Sequence, residues 1–169
     1  MRQITEHLPR LRRYARALTG DRYAADDLVQ DTIERALSRA ALWQAGSKLD
    51  AWLLTIMHNL FVNGVRSAAS RLTVPSDDDE FERRPGPSAD PSARLAIRDL
   101  DAALAQLPVD QREVLLLVAL EDTPYEEAAR ILGIPIGTVM SRLSRARDRL
   151  RKLLAGEPVS PMHLKVVRQ

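Results

Sequence analysis

Five side chains near the C-terminal end are spaced to act together. Thr138, Ser141, Arg142, Arg145 and Arg149 recur every three or four residues, the interval that gathers side chains on one face of an α-helix. Hydroxyls and guanidiniums on a shared face form a donor-rich surface, suited to phosphate oxygens and to the acceptor edge of guanine in a major groove. On the other side, Ile136, Val139, Leu143, Ala146, Leu150 and Leu153 make an unbroken apolar seam, which predicts a helix over residues 136–154 fixed by that seam to a core. Two further sets stand out. Trp52, His58, Asn59, Asn63 and Arg66 are distributed around a predicted helix over 49–66; asparagines are poor helix formers, which makes these two candidates for recognition. Asp27, Gln30, Asp31, Glu34 and Arg35 form the mainly acidic and amide outer face of a predicted helix over 24–42.

Catalytic and metal chemistry find no support. The three histidines are isolated in sequence, cysteine is absent, and no HExxH, glycine-rich phosphate loop or nucleophile elbow occurs. The expectation is a protein without cofactor, metal or enzymatic activity. No disulfide framework is possible, and no apolar run is long enough for a membrane span or signal peptide, so the chain is expected to work inside the cell.

The elements that must position these residues are all helical. Ala and Leu are abundant while aromatics make up only 4%, a balance that predicts an all-α fold. Leu8, Leu11, Ala15 and Leu18 mark a first helix ended by Gly20, with Asp21 as the cap of the next. Residues 71–94, RLTVPSDDDEFERRPGPSADPSAR, carry four prolines and an acidic cluster and read as a flexible linker between two small helical blocks. In the second block, Ile97, Leu100, Leu104 and Leu107 precede Pro108. Asp110 is then the expected cap of a helix reaching Glu121, with Glu113 completing a capping box. Thr123, Pro124 and Glu126 repeat that signal before a short helix ending at Gly133. Two helices joined across residues 133–135 make a helix-turn-helix.

Charge is asymmetric within this block. Residues 99–127 hold eight acidic side chains and one basic, Arg112, whereas 128–169 hold nine basic and two acidic. The basic half is the candidate phosphate-binding surface.

Residues 107–154, LPVDQREVLLLVALEDTPYEEAARILGIPIGTVMSRLSRARDRLRKLL, resemble the promoter-reading region four of extracytoplasmic-function sigma factors, most specifically in GTVMSRLSRAR. ADDLVQDTIERAL and DAWLLTIMHNLFVNGVR resemble region two of the same family, in the matching order. The resemblance implies a region-two domain over 1–70, a linker over 71–94, a region-four domain over 95–155 and a tail over 156–169 with no counterpart. It implies that Asp27, Gln30, Asp31 and Glu34 meet the β′ clamp helices of core RNA polymerase. Trp52, Asn59, Asn63 and Arg66 would engage the −10 element, where a flipped base must be held against its unstacking cost. Thr138, Met140, Ser141, Arg142, Ser144, Arg145 and Arg149 would meet the −35 element, with Arg147 and Arg149 suited to phosphate or structural support. Met140 departs from the family, which usually has Lys or Arg there. The implied partners are core polymerase through its clamp helices and β flap, promoter DNA and an anti-sigma protein; the chain would be a cytoplasmic monomer when unbound, without membrane insertion. Two alternatives remain open from the residues: a stand-alone dimeric helix-turn-helix regulator, and a sigma mimic that titrates an anti-sigma factor.

Overall fold

The computed structural model describes residues 2–43, 48–71 and 91–157. The first unit contains α1 (Arg2–Thr19), α2 (Arg22–Ser38), a 3-10 turn (Ala40–Leu42) and α3 (Leu49–Arg71); the second contains α4 (Pro91–Ala105), α5 (Val109–Ala119), α6 (Tyr125–Leu132) and α7 (Ile136–Leu154). No strand occurs among the described residues, so the all-α expectation holds. Most of the predicted linker and tail lies outside the described residues. Residues 91–94, read as linker, are helical, with Pro91 as the first residue of α4, a position where its missing N–H costs nothing.

The first unit follows its sequence signals closely at one end. Gly20 adopts a positive φ of 73° and donates its N–H to Arg16 O at 2.9 Å, closing α1. The Asp21 carboxylate then accepts from Ala24 N at 2.7 Å, capping α2. Asp21→Ala should cost about 1 kcal/mol and Asp21→Asn much less, measurable as a difference in thermal unfolding; equal losses would mean that the cap bond contributes nothing. At the other end α2 stops at Ser38 rather than near residue 42. Ser38 Oγ donates to Arg35 O at 2.9 Å, and Arg39 N–H is shared between Arg35 O and Ala36 O, both at 3.2 Å. These local bonds tighten the last turn and divert the backbone.

The second unit departs from the predicted capping boxes. Helices α5, α6 and α7 are capped by Pro108, Pro124 and Pro135 respectively, with φ between −53° and −60° and ψ between 142° and 149°. Their carbonyls accept from Arg112 N (2.9 Å), Ala128 N (2.9 Å) and Val139 N (3.2 Å). A proline ring holds φ at the value these junctions use, so no side-chain oxygen is needed. Asp110 and Glu126 lie in the first turns of their helices, favoured there by the helix dipole. Thr123 is buried and donates its backbone N–H to Leu117 O at 3.0 Å. Gly133, at φ 63°, turns the chain between α6 and α7, completing the helix-turn-helix where the sequence placed it.

The two units pack face to face. Helix α1 lies against α4 and α5, and α3 against α6. Buried Leu11, Leu18, Leu53 and Met57 of the first unit belong to one continuous apolar cluster with Val114, Leu117, Val139 and Leu143 of the second. Of the α7 seam, Val139, Leu143 and Ala146 are buried and Leu150 and Leu153 half-buried, whereas Ile136 is 40% exposed.

Candidate nucleic-acid interface

Because the apolar seam of α7 turns inward, its polar side faces out. Ser144, Arg145 and Arg147 are exposed, while Thr138, Ser141, Arg142 and Arg149 are half-buried on the flank. Arg142 Nε lies 3.2 Å from Asp110 Oδ2, which holds the guanidinium at the edge of the face. Arg149 Nε is buried without a hydrogen-bond partner among the described residues. Ser141 Oγ donates to Thr138 O at 3.1 Å. Met140 is 51% exposed.

On α3 the four predicted residues fall into register. Trp52, Asn59, Asn63 and Arg66 are separated by seven, four and three residues; at about 100° per residue they occupy a stripe about 60° wide. Asn59, Asn63 and Arg66 are exposed and Trp52 is half-buried against the core. An aromatic edge and two amides thus share one accessible side. On α2, Asp27, Gln30, Asp31 and Glu34 are all exposed, with Gln30 Nε2 donating to Glu34 Oε1 at 3.0 Å. The three sets lie on three different helices.

A further group of residues escaped the sequence reading: those that join the two units. Arg10 reaches Glu121 through Nε, donates through Nη2 to Glu121 O at 2.9 Å, and pairs with Asp50 at 2.7 Å. Arg13 adds a bond to Glu121 Oε1 at 3.3 Å. Lys48 Nζ meets Glu127 at 3.0 Å, and His58 Nδ1 lies 2.6 Å from Glu113 Oε1. Arg112 sends Nη1 to Leu18 O at 2.8 Å across the seam, and Nη2 to Ala105 O and Leu107 O at 2.8 and 3.1 Å. Part of the acidic bias of residues 99–127 is accounted for here: Glu113, Glu121 and Glu127, three of its eight carboxylates, face Arg10, Arg13, Lys48 and His58 of the first unit. The partners are 55 to 111 residues apart in the chain, beyond any periodicity. The only local clue was Arg112, the lone base in that stretch.

Burial shapes the electrostatics of this seam. Partial burial disfavours the Arg10 charge, but bonds to Glu121 and Asp50 outweigh it and raise its pKa. Burial likewise opposes ionisation of Asp50, yet the Ala51 N–H and Arg10 lower its pKa. Tyr14, wholly buried near Glu113 and Glu121, is pushed well above the ordinary phenol range by burial first and those carboxylates second, so it stays neutral.

A helix-turn-helix with an outward arginine and serine face is thus paired with a second helical unit bearing an aromatic and amide stripe, donor-rich surfaces of the class that can meet nucleic acid. Residues 97–150 match the family described as Sigma-70, region 4, and residues 4–58 match the Sigma2 domain of PhyR. ECF RNA polymerase sigma factor EcfG of Rhodopseudomonas palustris (strain TIE-1) is 42% identical over 151 residues, 89% of this chain and 82% of that protein. Among solved structures, the sigma factor RpoE in complex with the anti-sigma factor NepR from Bartonella quintana superposes with a TM-score of 0.77 at 35% identity, covering 93% of this chain and 97% of that one. CnrH in complex with the cytosolic domain of CnrY gives 0.66 at 27% identity, covering 93% and 88%. The chain belongs to the ECF RNA polymerase sigma factors, a family of transcription initiation factors.

Proposed function

We propose that this sigma factor directs core RNA polymerase to promoters with its two units separated, and that the closed arrangement is its resting form. The observation that carries the reading is the seam itself. Elements centred near −35 and −10 lie about 25 base pairs apart, or roughly 85 Å at about 34 Å per ten base pairs, and two units in direct contact cannot span that distance. Residues 72–90 number 19, with an extended reach of about 65 Å, which together with the width of each domain is enough once the seam opens. On this reading residues 1–70 act as region two and 95–155 as region four. Asp27, Gln30, Asp31 and Glu34 dock on the β′ clamp helices, the Trp52 to Arg66 stripe engages the −10 strand, and α7 reads the −35 duplex, with Arg145 an exposed cation on its outer side. The protein catalyses no reaction of its own and works in the cytoplasm beside the polymerase. An anti-sigma protein holds it in the closed form, a reading supported by the superposition of both units on RpoE in its NepR complex.

Run-off transcription with core polymerase, this protein and a promoter library tests the proposal: initiation that depends on the protein supports it. Absence of core binding, together with a tight dimer on a palindrome, would favour a stand-alone regulator. The match of residues 4–58 to the PhyR Sigma2 domain favours a sigma mimic as the second reading, but a mimic has no use for the exposed Arg145 and Arg147. Arg145→Ala should cost about 1–3 kcal/mol of −35 recognition, read as a loss of roughly 5- to 150-fold in promoter-dependent initiation. Undiminished initiation would remove Arg145 from the reading face.

A further inference from the structure

We infer that Ile136 and Met140 form an apolar reading edge on α7 that selects thymine through its 5-methyl group. The inference rests on α7 being the −35 helix. Both side chains are large, apolar and open to solvent, Ile136 at 40% and Met140 at 51% exposure, and they stand one helical turn apart. At about 100° per residue they are about 40° from each other and roughly 140° to 180° from Arg145 and Arg149. Met140 is therefore on the opposite flank from those arginines.

Between the two flanks the first turns of the helix, through Arg145, present only small groups, Gly137, Ser141 and Ser144; Asp148, paired with Arg151 at 3.0 Å, follows one turn beyond. A Cβ placed on Gly137 would meet nothing within 4 Å, so this strip is open. The outward side of α7 thus has a low centre, a cationic edge and an apolar edge. A low centre lets a helix settle toward base edges, and its N-terminal turns are the ones that enter the major groove. Arg147, exposed and on the Met140 flank, supplies a positive charge two turns along, which suits a phosphate beside the apolar contact. Elements α4, α5 and α6 pack against α7, and they cover the seam of Val139, Leu143 and Ala146, leaving the Ile136 and Met140 edge open. Among the four base pairs only those with thymine display an apolar group in the major groove, so a basic helix with an apolar edge is matched to thymine-containing duplex. Methionine's flexible thioether adapts to a methyl group without demanding one geometry.

The test begins with holoenzyme selecting its −35 element from randomised duplex. Each selected thymine is then replaced by deoxyuridine, which removes the methyl and leaves the hydrogen-bonding edge intact, and open-complex formation is measured. At one or two thymines the protein should lose about fourfold, the value of one buried methyl. Ile136→Ala and Met140→Ala, both changes at exposed positions, should abolish that sensitivity at the matching thymine. An element without thymine opposite α7, or equal deoxyuridine losses in the parent and both variants, would overturn the inference while leaving α7 as the reading helix. Selection that enriches no −35 sequence at all would overturn the reading of α7 as well, before any deoxyuridine is introduced.

Discussion

Replacing Arg112 with methionine is expected to destabilise the second unit by about 3 kcal/mol or more, the largest stability loss of any single change at the seam. Its guanidinium donates to three backbone carbonyls, Leu18, Ala105 and Leu107, and the residue is only 9% exposed. Two of these carbonyls lie at the C-terminal end of α4 and the third at that of α1, where helices leave acceptors unsatisfied and favour positive charge. Burial lowers the Arg112 pKa, but an arginine remains protonated at any physiological pH. Methionine fills much of the volume and leaves the Leu18 and Leu107 acceptors buried, and that of Ala105 partly buried, without this donor. Lysine keeps the charge but not the planar fork, and should recover less than half of the loss. Denaturant unfolding of the full chain measures both variants; a loss below about 0.5 kcal/mol for methionine would show that water replaces the guanidinium without cost.

Arg10→Ala is expected to shift the free protein from closed to open by about 2 kcal/mol, or roughly 30-fold. The Glu121 side chain has no exposure, while that of Arg10 is 31% exposed, so the figure sits below that for a fully buried pair. The cost falls on the closed form alone, because once the units separate water reaches both groups. If only the open form binds polymerase, its scarcity raises the apparent Kd in proportion, and Arg10→Ala should tighten core binding while widening the distance between fluorophores on the two units. Arg13 remains, at 3.3 Å, too long and too exposed to replace Arg10. A variant with unchanged distance distribution would show that the apolar cluster holds the units together without the ion pair. Tighter core binding without a change in distance would place the effect elsewhere.

The helices and the position of the helix-turn-helix were legible because they depend on local patterns: the three-and-four spacing of the α7 seam, the Gly20–Asp21 junction and the turn at Gly133. The α3 stripe was legible as a set of residue types but not as a line, since Trp52 and Arg66 are two heptads apart and align only when the wheel is drawn. Capping was misjudged at α5 and α6 because a threonine just before proline, or an aspartate two residues after it, resembles a side-chain cap, whereas the proline itself holds the junction. Ile136 was assigned to the buried seam; as the first residue of α7 it lies beyond the reach of the neighbouring helices. The seam between units could not be read at all. Its pairing of Arg10 with Glu121 joins residues 111 apart in the chain, and either residue alone looks like ordinary surface charge.

The prolines at the heads of α5, α6 and α7 bear on what happens after the units part. A unit of about 60 residues buries too little surface to be more than marginally stable alone, and on opening it loses its neighbour's apolar cover. Each proline restricts the unfolded chain and so favours the folded one by about 0.4–1 kcal/mol. Three of them supply roughly 1–3 kcal/mol that involves no contact with the first unit. That stability is intrinsic, independent of the company the domain keeps, and on the opening proposed above it favours a second unit that stays folded as it leaves the first.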